Sequence, residues 1–298
     1  MREFELNVTD NFDGRNIKFI LKNYFGFSSA MITRLKKGDG ILLNGKKEYV
    51  VKEVRSGDLL KITLPDEPSR NIVPNNIPLD ILFEDEDILV VNKPADMPTH
   101  PSVRHFEGTL ANAVMYYYRD IPFTFRAVTR LDRDTSGVVV IAKNAVSADF
   151  LSKQLKSGEF YKEYVAMCVG VPKVKKGRVD APIKRAKEGI ITRCIAPDGK
   201  NAVSDYEVIK ECSGMSLIRL MPKTGRTHQL RLHLSHIGTP IFADFLYGKD
   251  VPGERIRLHC RKVTFLHPFL NRRIELEAPV PQDMEIEKYA EICSLKKS

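Results

Sequence analysis

Residues 138–142, Val-Val-Val-Ile-Ala, constrain the fold of this chain more than any other stretch. A run of apolar, mostly β-branched residues without alternation fits a strand covered on both faces. Immediately before it stand residues 129–137, TRLDRDTSG. The Thr135-Ser136-Gly137 punctuation reads as a turn, so Asp132 and Asp134 are expected in a loop at the mouth of the buried strand. A rigid sheet holds side chains for chemistry at such a place. The same residues allow a plainer reading, in which Asp132 pairs with Arg130 or Arg133 as a surface charge.

Further strands are expected at 88–92, 164–169 and 216–220, and helices at 108–118, 145–156 and 227–236, the last with Thr224 or Thr227 as its cap. Strands and helices mixed without strict alternation indicate an α+β fold with a mixed β-sheet. Residues 1–64 read as a separate small unit. Ile17, Ile20 and Leu21 fall at helical spacing, residues 28–35 form a second short amphipathic segment, and Ile41 to Gly45 signal a hairpin beside alternating strands at 50–54 and 59–64. Residues 65–78, PDEPSRNIVPNNIP, lack apolar periodicity and read as a linker. The chain therefore divides into 1–70 and 71–298.

With 298 residues, 43% of them hydrophobic, the chain can build a substantial core. Its apolar runs are strand-sized, far below the roughly 18 to 20 residues of a membrane span, and MREFEL is no signal peptide, so a cytoplasmic protein is expected. Cysteines 168, 194, 212, 260 and 293 form no C-x-x-C pair, which argues for reduced thiols and against a zinc site. The histidines at 228, 233 and 236 match no zinc motif either. A net charge of +9 implies an acidic partner. Residues 173–200 hold nine Lys or Arg against Asp180, Glu188 and Asp198, and Arg34, Lys36 and Lys37 form a second cluster, the footprint of a nucleic-acid binder unless these are only solvated faces. No glycine-rich phosphate loop occurs, which disfavours nucleotide-driven chemistry.

Residues 129–137 resemble the H-R-L-D-x-x-T-S-G signature of the RluA-family pseudouridine synthases, with Thr129 in place of the usual His. Three further stretches resemble that family in the same order: EDEDILVVNKPADMPTHPS from residue 84, KEYVAMCVG from 162, and PKTGRTHQLRLHLSHIGTPIFADFLYG from 222. Residues 1–64, with a basic second helix and the GDGILLNG turn, resemble the small alpha-L RNA-binding fold first known from a ribosomal small-subunit protein.

The resemblance implies an enzyme that isomerises uridine in structured RNA, ribosomal or transfer RNA, to pseudouridine without cofactor or metal. It makes Asp132 the catalytic aspartate and Tyr164 the residue that stacks on uracil. Arg231 would pair with Asp132 and hold it ionised, and Arg130 would fill the space left by the flipped base. Arg226 and His228 would contact RNA or brace their loop, and Arg34, Lys36 and Lys37 would face phosphates. Lys93-Pro94 and His100-Pro101 would shape the cleft rim or serve only as turns. A monomer acting on RNA, with no DNA or membrane partner, is expected. Two rivals stand beside this reading: a non-catalytic RNA-binding or ribosome-assembly factor, and a glycosidase using Asp132 with Asp134.

Overall fold

The computed structural model describes residues 2–36, 38, 40–64, 69, 71–102 and 105–287. The chain begins with β1 (Glu3–Asn7), α1 (Ile17–Asn23), α2 (Ser29–Lys36), β2 (Ile41–Leu43), β3 (Lys46–Lys47) and β4 (Leu59–Thr63), whose strands form a sheet in the order β1-β4-β2-β3. Asn16 caps α1 by accepting from the Phe19 amide, and α1 and α2 bury Ile17, Ile20, Leu21, Met31, Ile32 and Leu35 against the sheet. Asn44 and Gly45 take positive φ, 51° and 77°, which turns β2 into β3 in two residues. Residues 50–54 differ from expectation: they are turn and coil rather than a strand. Their carbonyls serve the helix instead, the Lys52 and Val50 oxygens accepting from the Ile17 and Lys18 amides that α1 itself cannot satisfy.

The larger unit comprises β5 (Ile81–Glu84), β6 (Ile88–Lys93), α3 (Leu110–Tyr117), β7 (Ser136–Ala142), α4 (Ala145–Ser157), β8 (Tyr161–Val169), β9 (Lys176–Asp180), β10 (Ile183–Arg185), β11 (Arg193–Ile195), β12 (Val203–Cys212), β13 (Met215–Pro222), α5 (Gln229–His236), β14 (Leu258–Leu266) and β15 (Arg273–Glu277). The main sheet runs β5-β6-β7-β14-β8-β13-β12-β9, with β15 paired to β14. β7 and β14 pair in parallel and the other neighbours antiparallel, so the sheet is mixed, as the pattern of elements indicated. All seven residues of β7 are buried.

Gly137 belongs to β7 and not to a turn. A Cβ there would lie 2.2 Å from the Cys260 carbonyl oxygen, so the glycine admits the close approach of β14. The turn before the strand is closed one step earlier, by the Thr135 amide donating to the Asp132 carbonyl at 3.2 Å.

Residues 65–68 and 70 of the expected linker lie outside the described residues, but those that follow are not a free tether. The Ser69 amide donates to the Phe123 carbonyl, and Ile72, Ile77 and Leu79 pack against the core of the larger unit. The two units also share packing. Val146 of α4 belongs to the apolar cluster of the first unit, the Phe4 and Phe269 rings lie 4.9 Å apart, and Arg2 pairs with Glu86 and the buried Asp87.

Candidate active site

An open cleft of about 840 Å³ lies beyond the start of β7. Asp132, Lys162, Tyr164, Arg226, His228 and Arg231 line it. The loop carrying Asp132 is pinned at three points. The Thr129 hydroxyl accepts from the Val140 amide, so the residue that replaces the usual His clips the loop to β7. The Thr99 hydroxyl donates to the Leu131 carbonyl and accepts from the Leu131 amide, holding both backbone polar groups of the residue before Asp132. The third pin is Lys93, fully buried, whose ammonium donates to the carbonyls of Pro94, Met97 and Arg133. Burial presses the Lys93 pKa down, Asp134 and Asp132 push it back, and three carbonyls match three ammonium hydrogens. Lys93 therefore supports the loop of Asp132 from beneath and is no rim residue.

Arg231 reaches Asp132, but a second carboxylate holds it more tightly. Its Nε and Nη2 donate to the two oxygens of Asp244 at 2.8 and 2.7 Å, while Nη1 is 3.9 Å from Asp132 Oδ2. The shorter, bidentate partner is Asp244, which is fully buried and also accepts from the Leu246 and Tyr247 amides. Burial opposes the charge on Arg231, but its bonds to Asp244 outweigh burial and raise its pKa. The guanidinium is thus a fixed cation presented to Asp132, with its carbon 5.3 Å from the Tyr247 ring centroid.

His228 sits in the left-handed region at φ 57° and forms the N-cap position of α5 without a side-chain cap, so neither Thr224 nor Thr227 caps the helix. Thr224 instead donates to Gln229 Oε1, which also accepts from the Arg226 amide. The unusual backbone turns the His228 ring toward the cleft, where Nε2 is 4.0 Å from Asp132 Oδ2. Its Nδ1 lies 2.8 Å from the Tyr247 hydroxyl, which accepts from the Arg193 amide. With the Tyr247 proton given to Nδ1, Nε2 carries the hydrogen that faces Asp132. Burial lowers the His228 pKa against the pull of Asp132, leaving a neutral imidazole at neutral pH.

Tyr164 is buried in the wall of the cleft on β8, in register with Cys260 of β14. Burial raises its pKa well above the usual phenol value, so it offers a neutral ring face. Arg130 is exposed and, among the described residues, has no ion pair or side-chain hydrogen bond. Arg133 pairs with Asp96 instead, which removes the reading of Asp132 as a surface partner of either arginine. Arg226 is exposed and donates to the Asn201 carbonyl. Arg34 and Lys36 are exposed on α2 and are not among the cleft residues, and Lys37 lies outside the described residues. Asp244, Tyr247, Thr99 and Lys93 join the site without having been singled out for these roles. The first two stand in the ADFLYG end of the fourth motif, but nothing in their spacing announces a partner thirteen residues back.

A family model described as RNA pseudouridylate synthase matches residues 87–236, which contain Asp132, Tyr164 and Arg231. The chain is 38% identical to YjbO, an uncharacterized RNA pseudouridine synthase of Bacillus subtilis, over 87% of this chain and 93% of that protein. It is 34% identical to the ribosomal large subunit pseudouridine synthase D of Escherichia coli, over 93% of this chain and 90% of the relative. Among solved structures, human RNA pseudouridylate synthase domain containing 1 superposes with a TM-score of 0.57 at 28% identity, over 72% of this chain and 86% of that one.

Proposed function

Since this chain belongs to the RNA pseudouridine synthase family and isomerises uridine in RNA to pseudouridine, we propose that Asp132 is its catalytic carboxylate and that its substrate is large-subunit ribosomal RNA. The observation that carries the first part is the convergence on Asp132 of a fixed cation, Arg231, and a neutral imidazole, His228, at 3.9 and 4.0 Å in a cleft walled by Tyr164. The substrate assignment rests on a relative that matches nearly end to end and whose name carries that substrate.

The reaction breaks the bond from N1 to the ribose C1′ and forms one from C5 to C1′. A proton leaves C5 and N1 gains one, so no electrons are exchanged. A stacked uridine cannot reach the cleft, so the base is extruded at a cost of a few kcal/mol. In this reading Arg130, which has no partner of its own in the loop, fills the vacated space, and the neutral Tyr164 ring receives the uracil. Asp132 acts at the junction of sugar and base, with the Arg231 guanidinium beside it. The first unit, residues 1–70, serves as an RNA anchor through Arg34, Lys36 and Lys37, and the enzyme works as a cytoplasmic monomer.

Two measurements test this. Asp132→Asn should lose conversion while keeping RNA affinity within a few-fold; a variant retaining more than about a hundredth of the wild-type rate removes Asp132 from its role. Mapping pseudouridines across cellular RNA with and without the gene should show a loss in large-subunit ribosomal RNA, and a loss confined to transfer RNA overturns the substrate assignment.

A further inference from the structure

Lys162 stands two residues before Tyr164 on β8, so both side chains project from the same face of the strand, about 6.6 Å apart along it. Both line the cleft. Apart from Arg130 and Lys156, which are exposed to water, the other cations lining the cleft are already partnered. Lys223 pairs with Asp205, Lys262 with Glu275 and Glu277, Arg226 with the Asn201 carbonyl and Arg231 with Asp244. Lys162 has no hydrogen bond or ion pair among the described residues, although it is half-buried and burial lowers its pKa. A cation withdrawn from water without an anion is a cost that a ligand can remove.

The space in front of it is also kept open. Across the cleft stands Gly225, where a Cβ would touch the Lys162 ammonium at 3.8 Å. Gly225 takes no left-handed backbone conformation, and it places no side chain in the space before the ammonium. The gap lies beside the loop that leads into α5, in the cleft that Tyr164 also lines.

We propose that Lys162 binds a backbone phosphate adjoining the flipped uridine, fixing the nucleotide by its phosphate while Tyr164 receives its base. This deepens the assignment of the cleft and rests on it. The phosphate supplies the anion that Lys162 lacks, and the binding energy is realised once the nucleotide has left the helix. Lys162 therefore sets how firmly the extruded nucleotide is held rather than how fast bonds rearrange.

The test pairs Lys162→Met with short RNA substrates carrying one neutral methylphosphonate, placed 5′ or 3′ of the target uridine. A charge-assisted contact predicts that Lys162→Met raises KM by about tenfold to a hundredfold, with kcat changed by less than about threefold. The dependence of log affinity on log salt should become shallower by about 0.7, the value for releasing one single-strand phosphate. One of the two methylphosphonates should weaken the wild-type enzyme and have no further effect on Lys162→Met, and Lys162→Arg should restore most of the affinity. The proposal is overturned if both methylphosphonates keep their full effect in Lys162→Met, if KM and salt slope do not change, or if kcat falls at constant KM. The methylphosphonate arm on the wild-type enzyme needs no variant to fold. Asp132→Asn run in parallel separates the two levels: conversion by that variant sinks the assignment of the cleft itself, and the absence of an effect at Lys162 alone sinks only the phosphate contact.

Discussion

Arg231 cannot rotate freely toward Asp132, because two of its nitrogens are committed to Asp244. The charge that faces Asp132 is therefore set by a residue that does not touch the cleft reaction. Asp244→Asn should cut turnover about as severely as Arg231→Met, since it unlocks the guanidinium and removes the buried carboxylate that balances it. Arg226→Met, on an exposed side chain that donates to the Asn201 carbonyl, should weaken RNA binding and spare kcat. Single-turnover rates and binding curves on the three variants check this, and equal losses of turnover for Arg226→Met and Arg231→Met would sink the division of roles. That Asp132, Tyr164 and Arg231 meet in one cleft was readable because motif position brought them together. Asp244 was not, because its role depends on the turn after α5 bringing its carboxylate back onto a helix, and that closure is set by tertiary packing. His228 was readable as a loop residue but not as a neighbour of Asp132, since its left-handed backbone conformation leaves no mark in the sequence.

Among the elements, β7 and β14 pack closely beside the loop that carries Asp132, and two residues there carry separable consequences. Gly137→Ala would place a methyl group 2.2 Å from a backbone carbonyl at φ 113°, and neither strand can yield without breaking the sheet. We expect a loss of about 3 kcal/mol or more in denaturant unfolding; a loss below about 1 kcal/mol would show that the strands separate easily. His259, opposite Ser136 in the parallel pair, lies fully buried with Nδ1 2.9 Å from the Ser136 hydroxyl. Burial lowers its pKa from 6.5 to about 4, the hydrogen bond to the Ala278 carbonyl opposing. Between these values the unfolded chain takes up a proton that the folded chain does not, so its contribution is intact above pH 6.5 and is lost as the pH falls toward 4. The loss amounts to about 3 kcal/mol. Unfolding free energies measured across that window should fall less steeply for His259→Gln, and parallel curves would contradict the assignment. The β-branched run of β7 announced a doubly covered strand, and the helices α3, α4 and α5 lie within a few residues of their expected spans. What misled was punctuation: Ser136-Gly137 reads as a turn by residue type, yet the glycine is there to let another backbone approach. Residues 50–54 alternate as a strand does, but their carbonyls were claimed by α1.

For the whole molecule, the basic charge of +9 gives RNA reasons to bind at more than one place, and the question is whether the first unit is one of them. Its fold is self-contained, with its own sheet and apolar cluster, but its border is not bare. Removing residues 1–64 uncovers Val146 and Phe269 and takes Arg2 away from the buried Asp87, which keeps its bond from Asn144. A truncated protein therefore needs polar replacements at Val146 and Phe269 to be a fair test. So prepared, it should fold and keep kcat at saturating RNA within a few-fold, because Asp132, Tyr164, Arg231 and the pins at Thr99, Lys93 and Thr129 all lie beyond the cut. If Arg34, Lys36 and Lys37 meet phosphates, affinity should fall and the salt dependence should become shallower by about 0.7 for each single-strand phosphate that the truncated protein no longer reaches. The same two replacements made in the full-length chain separate the effect of removing the unit from that of altering its seam. An unchanged affinity and salt slope in the truncated protein would mean that α2 presents only a solvated basic face, and that the RNA is held by the cleft and its surroundings alone.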